Sequence, residues 1–223
     1  MSGPDASGGP DGSGGAEASG GPDASGGADA SGGPDASGWP DGSGGEAAAL
    51  ALAVARRAVT DAVATLAAAG ARTEVLADYE PARRVLGFPR PARLRPVGRV
   101  WRLGVLVLDD AGRVYEAGRV VRAERPARRS ITANAVAEHR AYRAAAVKGG
   151  IAEGETVVFD ARPVALDPAA LADGALTDPD ADVQLRDGVV QVRWSPTQAN
   201  ALVPLDRYLA ERADLLAHPP QGA

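Results

Sequence analysis

Between Met1 and Trp39 the chain has no large apolar side chain, and from Leu50 onward such residues are frequent. The pattern therefore changes near residue 45. Glu46–Ala69 is rich in alanine, contains neither proline nor glycine and stops at Gly70. Within it Leu52, Val59, Val63 and Leu66 recur at spacings of seven, four and three, which predicts an amphipathic helix with a glycine stop. Residues 74–98 are punctuated by Pro81, Pro89, Pro91 and Pro96, so any strand there is expected to be short or at an edge. The apolar run Val100–Leu108 reads as one buried central strand. Asp109–Gly112 is then a turn, and Arg113–Val121 returns as the second arm of a hairpin.

A second helix is expected from Thr132 or Asn134 to Val147, ended by Gly149-Gly150. Glu155–Val164 reads as a strand and 167–182 as an acidic loop. Val183–Arg186 and Val189–Trp194 flank Asp187-Gly188, a two-residue hairpin signal. A short strand near Ala201–Val203 leads into a last helix, Leu205–Leu216, behind Pro204, with Tyr208, Leu209, Arg212 and Leu216 on one face. Strands in hairpins, with helices before, between and after them, predict an α+β domain: a mostly antiparallel sheet with two hairpins, and about three helices on one face. The expected organisation is a tail over 1–45, one domain over 46–217 and a frayed end over 218–223.

The tail changes the picture of the charge. From Gly3 to Gly44 it consists of seven hexapeptides of the form Gly-Pro/Ala-Asp/Glu-Ala/Gly-Ser-Gly, with Trp39 replacing the leading glycine of the last one. No apolar side chain before Trp39 is available to stack inside a β-helix, and one carboxylate per repeat is a poor calcium site, so a disordered acidic coil is expected. The expected role is a linker or solubilising segment, or a strip that competes with anions for a basic surface of the body. Residues 1–45 carry seven acids and no base, a net of −7 within a total of −5. Residues 82–148 carry 15 arginines and Lys148 against five acids, +11, whereas 149–223 carry five arginines against 12 acids, −7. Lys148 is the only lysine, and arginine, alanine, glycine and proline dominate, a bias of the kind a GC-rich genome produces.

This distribution predicts a domain that binds an anion, nucleic acid or protein partner without catalysis, through an arginine-rich half. Its candidate residues are Arg83, Arg84, Arg90, Arg93, Arg95, Arg122, Arg125, Arg128 and Arg129, because guanidinium forks match phosphate and carboxylate oxygens. Phe88, Trp101 and Tyr115 are candidate base-stacking rings. The competing expectation is that these arginines pair with the acidic C-terminal half. Catalytic constellations are thin. There is no cysteine, the body has two serines and two histidines, and no nucleophile elbow, HExxH helix or P-loop occurs. Asp178–Asp182 alternates acids but has no glycine at the sixth calcium-loop position, and Arg99–Gly118 has the hairpin but not the metal-binding helix of Nudix hydrolases. No metal and no cofactor are expected. The polar stretch Ser195–Asn200, with Glu153 and Glu155, is the candidate lining of a small polar pocket. No apolar run is long enough for a membrane span and the N-terminus lacks a secretory pattern, so a soluble cytoplasmic protein is expected.

Three segments carry a resemblance: Arg95-Pro96-Val97-Gly98-Arg99-Val100-Trp101-Arg102-Leu103-Gly104-Val105-Leu106, Lys148–Glu155 and Val192–Ser195. They resemble a family of uncharacterised actinobacterial proteins, some of which carry a glutaminase label. The resemblance spans most of the body and not the tail. It implies, as the alternative function, a small amidohydrolase, with no catalytic residue that carries over.

Overall fold

The computed structural model describes residues 43–125, 134–195, 198 and 201–220. Helix α1, Ser43–Ala68, starts three residues before the expected boundary. Its buried side chains are Ala48, Ala51, Leu52, Ala55, Val59, Ala62 and Leu66, so alanines complete the leucine–valine stripe. Gly70, at φ +58, ends it, and the Ala71 N–H returns to the Leu66 carbonyl in a Schellman pattern.

Strands β1 (Glu74–Glu80), β2 (Arg83–Val85), β3 (Phe88–Arg90) and β4 (Arg93–Leu103) follow. β1 corrects the expectation for this segment. It is seven residues long and lies inside the main sheet, between β4 and a later strand, because the prolines all fall outside it. Pro96 sits in β4, where the register slips: Leu76 faces Gly98 but Ala77 faces Pro96, and a bulge tolerates the missing N–H. The expected strand 100–108 is also corrected. It is cut by a turn at Gly104-Val105 into β4 and β5 (Leu106–Asp109), which pair Leu103 with Leu106. Gly104 adopts φ +72 there. The turn is completed from far along the chain: the Tyr208 hydroxyl donates to the Leu103 carbonyl at 2.7 Å and accepts from the Val105 N–H at 3.0 Å.

The chain continues through β6 (Val114–Glu116), β7 (Arg119–Arg122), α2 (Asn134–Lys148), β8 (Thr156–Phe159), β9 (Arg162–Val164) and α3 (Pro168–Ala172), a short helix in the expected loop, capped by Asp167. It ends with β10 (Val183–Arg186), β11 (Val189–Arg193), β12 (Leu202–Pro204) and α4 (Leu205–Ala217). The α+β class and the antiparallel bias are as expected. The described residues hold four helices, and the main sheet is mixed, with seven strands in the order β7-β8-β1-β4-β5-β6-β9 and β1 parallel to β8. β10–β12 form a second sheet, with Asp187 and Gly188 both at positive φ in the expected two-residue turn.

The two ends of that strand order belong to one ribbon. β6 runs into β7 and β8 into β9, and the register is continuous: Glu116 faces Arg162 and, three residues on, Arg119 faces Phe159. Both arms bend at the same level, at Gly118 and at Asp160 (φ +55), and a β-carbon on Gly118 would stand 2.2 Å from the Phe159 carbonyl oxygen. The bend lets β6 pair with β5 while β8 pairs with β1, and the sheet curls into a barrel. Its interior takes Leu76, Val100, Val107 and Val158, with Tyr115, Ala117 and Ala161 against them. Outside it, α2 packs through Ala145 and Ala146 on Val75, Leu94, Val157 and Phe159. α1, α4 and the small sheet cover Trp101, Leu103, Leu106 and Leu108. Helices therefore lie on two parts of the outer surface rather than on one face of a flat sheet.

Candidate anion-binding site

Among the described residues the arginine-rich segment neither converges at one place nor simply pairs with the acidic C-terminal half. Arg93 pairs with Glu80 at 2.8 Å, Arg95 with Asp78 and Glu80, and Arg102 with Glu74, all across the β1–β4 ladder. Arg113 is held by the buried Asp109, and Arg143 by Glu124. Among the described residues, Arg99 with Glu155, Arg125 with Glu153 and one contact of Arg119, to Asp160, reach acids beyond residue 148. Arg128 and Arg129 lie outside the described residues. Arg122 is exposed beside Gly154 on the far strand β7.

Three of the candidates stand apart. Glu80 faces Arg93 and Arg83 faces Arg90, so β2–β3 continues the β1–β4 ladder in the same register across a break at Pro81 and Pro91. The result is a two-stranded arm that extends away from the barrel, turning at Leu86 (φ +50) and Gly87 (φ +82). Residues 81–92 of the arm contain Arg83, Arg84 and Arg90 and no acid. None of the three has an ion-pair partner within 4 Å among the described residues. Like charges directly opposite each other weaken a ladder. The Arg83–Arg90 pair therefore weakens the ribbon, and it sets side by side two guanidinium groups without an ion-pair partner among the described residues.

Where the arm leaves the barrel, Arg83, Arg90, Arg93 and Lys148 line a cavity of about 260 Å³ with Pro81, Pro91 and Glu80. Lys148 is the last residue of α2. It is placed there by Gly149, whose backbone presses on β4 so closely that a β-carbon would lie 1.7 Å from the Leu94 carbonyl oxygen. Gly150, at φ +89, then closes the helix, with the Ile151 N–H on the Ala146 carbonyl. The cavity thus has four cations to one carboxylate. Glu80 itself is held below its ordinary value, first by the hydrogen bond from Arg93 and then by the charges of Arg93, Arg83 and Arg95, against an opposing effect of burial.

The sign of the Glu80 effect follows from its direction. Its folded-state pKa lies below the unfolded one, so the Glu80–Arg93 contact stabilises the fold above the ordinary carboxylate range and is lost as pH falls through the lowered value. A carbon-detected titration is expected to place the Glu80 midpoint below 4.5, and Arg93→Ala to move it up toward 4.5. A Glu80 midpoint unaffected by that substitution would show that the contact does not persist in solution.

Other surfaces fit a ligand less well. At the barrel mouth, a cavity of about 520 Å³ holds Asp78 and Asp160, but Arg95 and Arg119 already neutralise those carboxylates. The cavity of about 550 Å³ between α1 and β6 holds Arg56, which donates to the Leu166 carbonyl, and Arg113, which Asp109 engages. Glu153 and Glu155 are both engaged by arginines; Ser195 follows β11 in the chain, and residues 196, 197, 199 and 200 of the candidate polar stretch lie outside the described residues. Among the described residues no group of three or more His, Asp or Glu is placed to hold a metal, and no helix is long and apolar enough to cross a membrane.

Of the candidate rings, Trp101 is buried, with its Nε1–H on the Ala71 carbonyl, and Tyr115 faces the barrel interior. Phe88 alone is open, 76% exposed on the arm. Lys148 and Glu80 are the site residues that sequence reasoning did not single out. The paired Pro81 and Pro91 around an acid-free, arginine-rich stretch were the available signal. Comparison with family models, curated proteins and solved structures finds no match for this chain.

Proposed function

We propose that this protein is a non-catalytic binding domain that engages an anionic partner through the β2–β3 arm and the cavity at its base. The observation that carries this reading is the cross-strand Arg83–Arg90 pair, with Arg84 on the other face of the ribbon, all three lacking an ion-pair partner within 4 Å among the described residues while their neighbours Arg93 and Arg95 are paired. Arginine forks on a two-stranded ribbon, joined by the Lys148 ammonium, form a surface for phosphate or carboxylate oxygens.

The test is binding of the full chain to a base-free inorganic polyphosphate across a salt series. Binding is expected to weaken linearly in log–log form, and Arg83→Glu with Arg90→Glu to lower the affinity at least tenfold and the salt slope by about 1.5 ions. Removing residues 1–45, with their seven acids and no base, is expected to tighten it. Polyphosphate binding that ignores salt and both substitutions would overturn the reading, as would release of ammonia from glutamine by the purified chain.

A further inference from the structure

Resting on that reading, we infer that the arm's partner is single-stranded nucleic acid, with phosphates at Arg83 and Arg90 and a base stacked on Phe88. In the ribbon Arg83 lies opposite Arg90 and Val85 opposite Phe88. Positions two apart on a strand share a face, so a pair of cations and an aromatic–aliphatic pair follow each other along one face, about 7 Å apart. That sequence of charge and ring matches the alternation of phosphate and base along an extended strand. Phe88 is 76% exposed and Leu86 93% exposed. A free phosphate or an acidic peptide would use the cations and leave the ring in water, whereas a nucleic acid uses both.

The single strand is favoured because its bases offer a free π-face, which a duplex keeps inside its stack. Apart from the arginines, residues 81–92 are proline, alanine, valine, leucine, glycine and phenylalanine, with no amide, hydroxyl or carboxylate side chain to read base edges. Recognition is therefore tolerant of sequence, set by stacking and charge. An anionic membrane is the competing use of an apolar tip with an arginine collar. Two exposed apolar side chains give it little area to insert, and it becomes an outcome of the experiment.

The experiment is fluorescence anisotropy of the full chain with a labelled thymidine oligomer, an abasic oligomer of the same length, a duplex and the base-free polyphosphate, with phosphatidylglycerol vesicles in a parallel flotation assay. The thymidine oligomer is expected to bind about 5- to 150-fold more tightly than the abasic one, the range for a single stacked base. Phe88→Ala is expected to erase that difference and to leave polyphosphate affinity unchanged, Phe88→Trp to preserve it, and Arg83→Glu with Arg90→Glu to abolish both. Equal affinity for the thymidine and abasic oligomers overturns the nucleic-acid inference. If the polyphosphate still binds through the arginines, the broader anion reading survives; if it does not, both fail. Tighter binding to the duplex, or a Phe88→Ala defect confined to the vesicles, likewise overturns the single-strand assignment.

Discussion

Gly149→Ala is expected to destabilise the domain by about 3 kcal/mol or more and to lower its melting temperature by roughly 10 °C. The β-carbon that alanine adds would lie 1.7 Å from the Leu94 carbonyl oxygen and 2.6 Å from its carbon, atoms of a strand that cannot rotate away. Either β4 shifts or the end of α2 lifts. Both movements separate Ala145 and Ala146 from the apolar cluster on Leu94 and Phe159 and carry Lys148 away from the arm. Thermal unfolding monitored by circular dichroism checks the first effect, and a loss of polyphosphate affinity in protein kept below its melting point checks the second. Gly98→Ala is the control: it lies on the same strand, in open space with no positive φ, and is expected to be tolerated. A Gly149→Ala protein as stable as the Gly98→Ala one would mean that α2 does not sit on β4 as described.

Tyr208→Phe is expected to cost about 2–4 kcal/mol, a large effect for the loss of one oxygen. The hydroxyl serves both sides of the Gly104-Val105 turn, on the Leu103 carbonyl and the Val105 N–H, and Leu103 is buried. Phenylalanine keeps the ring in the α1–α4 core but removes both bonds, taking one donor from the buried Leu103 carbonyl and the side-chain acceptor from the partly buried Val105 N–H. Denaturant unfolding should therefore show a lower midpoint with little change in slope. Amide exchange at Val105 should speed up more than exchange at Val107, two residues further along in β5. Gly104→Ala approaches the same contact from the other side, since its β-carbon would meet the Tyr208 oxygen at 2.4 Å and the turn requires φ +72. Combined, the two substitutions should cost less than the sum of each alone, because they damage one contact.

These two sites also show where sequence reasoning stopped. α1, α2 and α4 were legible because their apolar spacing and glycine stops are local: Gly70 and Gly149-Gly150 end their helices as read. The Asp187-Gly188 hairpin was legible for the same reason, both residues taking the positive φ that the turn demands. Val100–Leu108 was not, because a run of apolar residues with a single glycine looks alike whether the strand continues or folds back. What folds it back is Tyr208, 105 residues from Leu103. Barrel closure was equally hidden, since it depends on two bends, at Gly118 and Asp160, meeting across the ribbon.

The charge follows the same division. By itself the sequence determined that a +11 stretch stands between acidic ones, and that cysteine chemistry is absent, because composition is a property of the chain alone. It determined the α+β class and the helices, which local periodicity encodes. Only the tertiary structure decided which cations are already spoken for. The β1–β4 register hands Arg93, Arg95 and Arg102 to Glu80, Asp78 and Glu74, while the same register, carried past Pro81 and Pro91, sets Arg83 against Arg90 with no acid between them. Pairing of charges is a matter of distance in space, and the distances come from strand register and from the close approach of Gly149 to Leu94, neither of which is written in any local stretch of residues.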